Sequence, residues 1–159
     1  MDLEELPRSD HDVIPRQPGT YVLLLHLLSP TEIRVGKLGT SRFPTGWYTY
    51  VGSALGPGGL AARLARHQRR RRLHWHIDYL LALSGLVEIW WTVSPKRWEC
   101  VWAQALKGLP GAAIPMLGFG ASDCRCSTHL LHFDHHLSPS ALAAQLEGPC
   151  TIHRTLLSG

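Results

Sequence analysis

The sequence predicts a small α+β domain in which a mostly antiparallel sheet of roughly three to five strands is flanked by helices. Segments rich in β-branched and aromatic residues alternate along the chain with segments of good helix formers, and short turns separate them. The chain has 159 residues, of which 45% are apolar and 18% are charged. This balance is typical of a folded domain that is long enough to bury a core.

The first three strands are indicated by residue type and by the turns around them. Residues 21–28 form an apolar run that ends at Ser29-Pro30, as a buried strand does. Residues 32–38 alternate between polar and apolar types, which predicts a second strand that forms a hairpin with the first. Residues 46–53 are rich in Trp, Tyr and Val and predict a third strand.

The remaining elements follow from the same patterns. In the first predicted helix, Leu60, Leu64 and His67 share one face. Pro95 suits the start of a later helix, because Pro is favoured at the first helical position. The predicted elements are a helix at residues 60–70, a helix at 76–83, a strand at 86–93, a helix at 96–107, a strand at 129–133 and a helix at 138–146.

The predicted domain occupies residues 19–147. Before it, residues 1–18 contain several Pro residues and mixed charges, which predicts an irregular lead-in. After it, we expect residues 148–159 to form a C-terminal tail.

Charge and cysteine content indicate a compartment and one class of partner. The net charge is +4, and 13 of the 16 basic residues are Arg, whose planar set of donors suits phosphate. No apolar run approaches the roughly 20 residues that cross a bilayer, and the acidic N-terminus lacks the pattern of a signal peptide. Four cysteines are too few for a disulfide scaffold in a chain of this size. We therefore expect a cytoplasmic protein without a membrane partner.

Three short motifs contain residue types that phosphodiester chemistry uses. A Gly-Thr-Tyr triplet ending at Tyr21 opens the first predicted strand, and a Tyr-Val-Gly triplet beginning at Tyr50 closes the third. Arg63 and His67 follow on the first predicted helix. They are four residues apart, so their side chains project from one face of that helix.

In this order, the motifs resemble those of the GIY-YIG nuclease superfamily, which includes endonucleases of DNA repair and of intron homing. The resemblance extends to its Uri-type branch, long catalogued as a domain of unknown function, and covers roughly residues 19–133. Two triplet positions that hold Ile in the superfamily are occupied by Thr20 and Val51. The further matching segments are residues 35–39, residues 74–80, Glu99-Cys100 and residues 119–130.

The resemblance implies an endonuclease that hydrolyses phosphodiester bonds in DNA, and by analogy it suggests a part in DNA repair. It assigns Tyr21 as the base that activates water, oriented by His67 or Tyr50. Arg63 would hold the scissile phosphate through its charged donors. Glu99 matches a single carboxylate that binds one Mg²⁺ or Mn²⁺ ion, which suits a cation that keeps several of its waters. The resemblance implies no small-molecule cofactor.

Each of these residues also has a structural interpretation. Tyr21 is suited to a half-buried strand, and Arg63 could belong to an exposed row of charges. Glu99 could simply pair with Arg97 or Lys96 on the surface of its helix.

Besides the two triplet positions, the chain departs from the superfamily in two ways. The stretch between the two Tyr motifs is long, with inserted material at about residues 29–46, and one residue type is missing. Members often carry an Asn after the helix that bears the Glu, and this chain contains no Asn. Ser122 or Asp123 could replace it. A catalytically weak nucleic-acid-binding module of the same fold is therefore the alternative function.

A basic segment follows the first predicted helix and indicates a surface that binds nucleic acid. Each Arg in such a run can neutralise a phosphate and release counterions. A solvated helix end is the structural alternative. The residues expected to contact nucleic acid are Lys37, Arg66, Arg69, Arg70, Arg71, Arg72, His74 and His76.

Cys124, Cys126 and His129 form a dense group of soft metal ligands, which Cys100 could complete. Zinc ligands usually come as Cys-x₂-Cys pairs, so the Cys-x-Cys spacing is atypical. Buried or reactive thiols without metal are therefore favoured over a zinc site. A chain that did bind zinc here could instead be a zinc-stabilised interaction domain.

The site hypothesis makes a geometric prediction. Tyr21, Tyr50, Arg63, His67 and Glu99 should line one concave face, because glycines beside each Tyr let the two strands lie close together. A Glu99 on the opposite side of the sheet from Arg63 would contradict this nuclease mechanism and favour the nucleic-acid-binding module.

Overall fold

The computed structural model of the protein describes residues 13–69, 73–148 and 150–157. It has an α+β fold, as the sequence predicts. The strands are β1 (Gly19–Leu27), β2 (Thr31–Arg34), β3 (Thr40–Phe43), β4 (Gly46–Ala54), β5 (Gly85–Val93), β6 (Leu130–Phe133) and β7 (His153–Leu156). The helices are α1 (Gly59–Arg69), α2 (His76–Leu81), α3 (Glu99–Lys107) and α4 (Pro139–Ala143). In the described part of the chain, no helix is long and apolar enough to span a membrane.

Five of the strands form one antiparallel sheet in the order β6-β4-β1-β5-β7. The central strand β1 is buried almost throughout, which explains its continuous apolar sequence. It pairs along its whole length with β4, from Gly19 opposite Ala54 to Leu27 opposite Gly46. On its other edge, β1 pairs with β5.

Side chains alternate across β1 and divide the core into two parts. Tyr21, Leu23 and Leu25 pack with α1 and α2, whereas Val22 and Leu24 pack with α3 and α4. The first part also contains Leu60, Leu64, Ile77 and Leu80. The second part also contains Val51, Trp90, Trp102, Leu106 and Leu142. Each pair of helices therefore covers one face of the sheet.

The second predicted strand pairs differently from the prediction. Instead of joining β1, β2 pairs with β3 in a separate two-stranded sheet. Gly36 and Gly39 between them have φ angles of 48° and 107°, which L side chains rarely adopt, and Val35 N donates to Gly39 O at 2.7 Å. These glycines turn the chain back within residues 32–38. The predicted hairpin with β1 was therefore wrong.

Three predicted helices are shorter than expected, and the first of them, α2, ends at Leu81 rather than at residue 83. Helix α3 begins at Glu99 rather than at residue 96, because the Ser94 hydroxyl accepts a hydrogen bond from Lys96 N and holds that segment in a turn. Helix α4 covers only Pro139–Ala143 of the predicted residues 138–146.

The predicted C-terminal tail contains a strand of the main sheet. Strand β7 pairs with β5, from His153 opposite Trp91 to Leu156 opposite Glu88. The Arg154 guanidinium donates two hydrogen bonds of 2.9 Å to the buried Glu88 carboxylate. A four-residue strand that contains His and Arg gives little apolar signal, so the sequence did not indicate it.

A buried carboxylate joins the end of α1 to the start of α2. Asp78 is fully buried and accepts hydrogen bonds from both terminal nitrogens of Arg66, at 2.9 and 3.0 Å. It also accepts the backbone N–H groups of His74 and Trp75. The Trp75 ring centre lies 3.8 Å from the Arg66 guanidinium carbon. Burial alone would raise the pKa of Asp78, but these hydrogen bonds outweigh it and lower the pKa, so the carboxylate stays charged.

We predict that Asp78→Asn lowers the free energy of unfolding by about 3 kcal/mol, because removing one partner of a buried pair leaves the other charge uncompensated. Urea unfolding followed by Trp fluorescence measures the change. Asp134→Asn is the matched control, since Asp134 is exposed and should leave the stability close to that of the wild type. Equal stabilities for the two variants would contradict the prediction.

Candidate active site

A cleft of about 410 Å³ opens at the end of the sheet where β1 begins and β4 ends. Its walls include residues of α1, of the start of α2 and α3, and of the loop at 120–123. Ser122 and Asp123, the expected substitutes for the missing Asn, line it. Of the residues predicted to act on substrate, metal or nucleic acid, the cleft is lined by Tyr21, Tyr50, Arg63, His74, His76 and Glu99.

The pairing of β1 with β4 brings the two Tyr-containing motifs together. Tyr21 lies opposite Gly52 in the register. A Cβ atom added to Gly52 would overlap the Tyr21 hydroxyl group, so the lack of a side chain at Gly52 makes room for the phenol. The Tyr-Val-Gly triplet therefore ends in Gly for reasons of space.

Tyr21 and His67 form a buried pair beside the cleft. The Tyr21 hydroxyl lies 2.6 Å from His67 Nε2, and each residue is 1% exposed. Burial lowers the pKa of His67 to about 3, an effect that Asp78 opposes and Arg63 reinforces. Burial also raises the pKa of Tyr21, while Arg63 acts in the opposite direction. Near neutral pH, His67 is therefore neutral and Tyr21 is protonated.

His67 lies behind Tyr21 and does not itself line the cleft, in contrast to the expectation. Its second ring nitrogen, Nδ1, is buried and has no hydrogen-bond partner among the described residues. A buried nitrogen without a partner costs about 1–3 kcal/mol. Retaining an imidazole at this cost is typical of a functional residue rather than of a packing residue.

Arg63 is held by the backbone of β4 and by an aromatic ring. Its Nη1 atom donates a hydrogen bond of 2.7 Å to Ser53 O. Its guanidinium carbon lies 4.7 Å from the centre of the Trp75 ring. Because a guanidinium has five N–H donors, further donors remain for a ligand in the cleft.

Glu99 is the first residue of α3, and its two carboxylate oxygens have different neighbours. Ser53 Oγ donates a hydrogen bond to Oε1, while His129 Nδ1 lies 3.2 Å from Oε2. Burial would raise the pKa of Glu99, but the contacts with His129 and Ser53 outweigh it and lower the pKa. The carboxylate is therefore ionised.

The alternative interpretation, in which Glu99 only pairs with a neighbouring basic residue on the helix surface, has little support. Arg97 Nη1 lies 3.4 Å from Glu99 Oε1, and the Arg97 side chain is 59% exposed. Exposed pairs of this kind stabilise a protein by about 0–1 kcal/mol. This pair alone therefore does not account for the position of Glu99 in the cleft.

Arg63 and Glu99 reach the cleft from opposite faces of the sheet. Helix α1 packs on one face and α3 on the other. Both side chains contact Ser53, Arg63 through the carbonyl oxygen and Glu99 through the hydroxyl group. The two faces meet here because β6 pairs with Trp47–Tyr50 of β4 and the last residues of β4 border the cleft. This placement on opposite faces counts against the predicted nuclease mechanism and in favour of the nucleic-acid-binding module. Both side chains nevertheless line one cleft, as predicted.

His76 and His74 line the cleft around the start of α2. His76 Nδ1 accepts a hydrogen bond of 2.8 Å from Gly120 N, so the proton of the neutral ring is on Nε2. Burial lowers the pKa of His76, which favours this neutral form. His76 therefore offers one N–H donor on Nε2, and the more exposed His74 lies beside it.

Other basic residues that were predicted to contact nucleic acid lie outside the cleft. Lys37 is exposed in a 3₁₀ helix at Gly36–Leu38, and Arg69 is exposed at the end of α1. The remaining members of the basic run, which lie outside the described residues, are Arg70, Arg71 and Arg72.

Arg66 has a structural partner. Both of its terminal nitrogens donate to Asp78, and its guanidinium stacks on Trp75. The geometry therefore favours a role in joining α1 to α2 over the predicted contact with nucleic acid.

A second group of side chains adjoins Glu99. Cys100, Cys124, Cys126 and His129, here named the Cys₃His cluster, have four ligand atoms within 4.8 Å of one another and could hold a metal ion. All four cysteines of the chain, including the exposed Cys150, are free thiols. The Cys-x-Cys spacing alone disfavours a metal site. The fold, however, places Cys100 of α3 beside this pair as a third thiol.

Two further residues contribute to the site although no role was predicted for them. Ser53 contacts both Arg63 and Glu99, and the Trp75 ring supports the guanidinium groups of Arg63 and Arg66. Serine in a strand and tryptophan before a helix are common, so their roles become visible only through register and packing.

The fold and the cleft define an α+β domain with one polar site in which Tyr, Arg and Glu side chains meet. The chain belongs to the family described as Domain of unknown function DUF123, whose family model matches residues 20–148. The matched range includes every residue of the cleft and of the Cys₃His cluster named above. No curated protein and no solved structure matches the chain.

We predict that His67 makes the protein less stable in acid. In the unfolded chain His67 binds a proton below a pH of about 6.5, whereas in the folded protein it stays neutral down to about pH 3. The unfolded state therefore binds more protons between these values. As the pH falls through this window, the free energy of unfolding should decrease by up to about 1.4 kcal/mol per pH unit.

Urea unfolding of the wild-type chain and of His67→Gln between about pH 7 and pH 4 measures this effect. Comparing the two chains removes the contributions of all groups that they share. The wild type should lose stability more steeply than the variant. Parallel stability curves would show that His67 is not kept neutral by folding.

Proposed function

We propose that this protein is a GIY-YIG-type endonuclease of the Uri-type branch, which hydrolyses phosphodiester bonds in DNA with the help of a divalent metal ion. The observation that carries the proposal is the convergence of Tyr21, Arg63 and Glu99 on one cleft from distant parts of the chain. Phosphodiester hydrolysis needs a group that activates water, a cation for the developing charge and a metal-binding oxygen. These three side chains supply such groups.

Arg63 would bind the scissile phosphate. Its contacts with Ser53 O and the Trp75 ring set the orientation of the guanidinium before any substrate arrives. Donors that are fixed in advance stabilise developing charge without reorganising during the reaction. The Nε2–H group of His76 adds a second donor in the same cleft.

Tyr21 and His67 would remove a proton from the attacking water. In the tautomer protonated on Nδ1, His67 Nε2 accepts a hydrogen bond from the Tyr21 hydroxyl, which leaves an oxygen lone pair of Tyr21 for a water in the cleft. As the water oxygen bonds to phosphorus, its proton passes to Tyr21 and the Tyr21 proton passes to His67. The bond from phosphorus to the leaving oxygen breaks, and that oxygen takes a proton from solvent. Because burial keeps His67 neutral, its Nε2 atom is available as the acceptor.

Glu99 would hold the metal ion. Its carboxylate is ionised and lines the cleft, and hard oxygen donors of this kind suit Mg²⁺ or Mn²⁺. When bound, one such ion supplies charge stabilisation to the phosphate oxygens. The hydroxyl of Ser53 donates a hydrogen bond to Glu99 Oε1 and so helps to fix the carboxylate. The thiols and imidazole of the Cys₃His cluster are too soft to suit the same ions.

A catalytically weak nucleic-acid-binding module is the second candidate function, because the chain lacks the Asn of many superfamily members. Ser122 and Asp123 line the cleft instead. Incubating labelled single- and double-stranded DNA with and without Mg²⁺ or Mn²⁺ separates the two functions. Metal-dependent cleavage supports the nuclease, and binding without cleavage supports the module.

We predict that Glu99→Gln abolishes metal-dependent cleavage and leaves DNA affinity within a few-fold of the wild type, because the variant loses the ionised ligand but keeps the basic surface. Cleavage assays and fluorescence anisotropy measure the two effects. The control is Glu147→Gln, which removes one exposed carboxylate outside the cleft and should cleave like the wild type. Full activity of Glu99→Gln at saturating Mg²⁺ would exclude the metal-binding role.

We predict that replacing Arg69, Arg70, Arg71 and Arg72 together by Ala weakens DNA binding and flattens its salt dependence. Each lost phosphate contact lowers the slope of log K against log salt by about 0.9 on duplex DNA. Affinities measured over a series of salt concentrations give the slope. The control is a variant with Arg34 and Arg42 replaced by Ala, which removes exposed charge from the separate two-stranded sheet. This variant should keep the slope of the wild type. If the slope stays the same in both variants, the basic run faces solvent in the complex.

A further inference from the structure

The Cys₃His cluster is assembled from two separate segments of the chain. Cys100 is the second residue of α3, Cys124 and Cys126 lie in the loop before β6, and His129 directly precedes β6. The three thiol-bearing residues are partly buried, and His129 is 1% exposed. The fold therefore gathers the soft ligands at a protected point rather than scattering them over the surface.

The spacing of the ligand atoms fits one tetrahedral ion. With zinc–sulfur bonds of about 2.3 Å and zinc–nitrogen bonds of about 2.0 Å, the S–N and S–S edges of a tetrahedron are about 3.5 and 3.8 Å. His129 Nε2 lies 3.3 Å from Cys124 Sγ and 3.8 Å from Cys100 Sγ. With all four atoms within 4.8 Å of one another, shifts of a few tenths of an ångström to about one ångström would close the tetrahedron.

The donor set also identifies the kind of ion and of site. Three thiolates and one imidazole form a closed tetrahedral set, which is the pattern of structural zinc sites, whereas catalytic zinc sites keep an open position. Hard cations such as Mg²⁺ prefer oxygen and are not expected here.

His129 connects the Cys₃His cluster to the cleft. Its Nε2 atom faces the thiols, and its Nδ1 atom lies 3.2 Å from Glu99 Oε2, within ion-pair distance but without full hydrogen-bond geometry. Metal-binding histidines commonly donate their other ring N–H to a carboxylate, which fixes the tautomer and the orientation of the ring. An ion on Nε2 would place the His129 proton on Nδ1, where Glu99 is the acceptor within reach.

We propose that the Cys₃His cluster binds one structural zinc ion and that His129, fixed by this ion, is a positioning residue for Glu99. The zinc site stands on the ligand geometry alone. The positioning of Glu99 rests on the proposed function, in which its carboxylate holds a metal ion in the cleft. Zinc then holds Oε2 through His129, while Ser53 holds Oε1.

Metal analysis of the full chain, purified under reducing conditions without chelator, tests the zinc site. We expect about one zinc ion per chain in the wild type and in Cys150→Ser, the matched control outside the cluster. Cys126→Ser should lose most of the zinc. A wild-type chain that binds no zinc even after addition of Zn²⁺, or a Cys126→Ser variant that keeps it, would overturn the site.

A thiol titration of the wild type covers the case in which Cys126→Ser does not fold. With zinc bound, only the exposed Cys150 should react rapidly with a thiol reagent. Removal of zinc by a chelator should bring the number of reactive thiols to four. If the chelator leaves the number of reactive thiols unchanged, zinc binding is contradicted. A disulfide between two thiols of the Cys₃His cluster, found in protein purified under reducing conditions, would also contradict it.

His129→Cys tests the positioning role, because it retains four soft ligands but removes the contact with Glu99. We expect zinc content to stay near one ion per chain while Mn²⁺ affinity, measured by calorimetry without DNA, falls about tenfold. Unchanged Mn²⁺ affinity in the zinc-loaded variant would overturn the positioning role. A zinc-loaded wild type that cleaves no DNA with any divalent ion would instead refute the proposed function and leave the zinc site standing.

Discussion

The antiparallel pairing of β1 with β4 is the constraint on which the site depends. It sets Tyr21 opposite Gly52, and the missing side chain of Gly52 makes room for the phenol. The same pairing fixes Ser53 at the end of the sheet, where its two oxygens face two different helices. A shift of one residue in this register would turn Tyr21 to the other face and separate it from His67.

Ser53 also explains how helices on opposite faces of the sheet contribute to one cleft. A sheet normally separates the side chains on its two faces. Here β4 runs past the end of its pairing with β6, so a carbonyl in the plane of the sheet meets Arg63 while the hydroxyl meets Glu99. The candidate site therefore lies at the end of a strand, where a single residue can be reached from both faces.

The sequence was sufficient to predict most elements of the fold and several of the side chains that line the cleft, because strong apolar patterns and ordered motifs are local signals. It failed at β2–β3, where two glycines reverse the chain, and at β7, which an ion pair between Arg154 and Glu88 anchors in place of apolar packing. The Cys₃His cluster was undervalued because Cys100 lies 24 residues before Cys124, and only the packed fold brings them together. Residues that come together only in the tertiary structure leave no periodic pattern in the sequence.

Glu99 and Cys100 are consecutive residues at the start of α3. Successive side chains on an α-helix diverge by roughly 100°, so a hard oxygen donor and a soft sulfur donor leave the same turn in different directions. One helix start thereby serves two neighbouring environments of opposite chemical preference. An ion that suits one of them is poorly matched to the other, so under the two proposals above this turn would direct hard and soft cations to separate neighbouring sites.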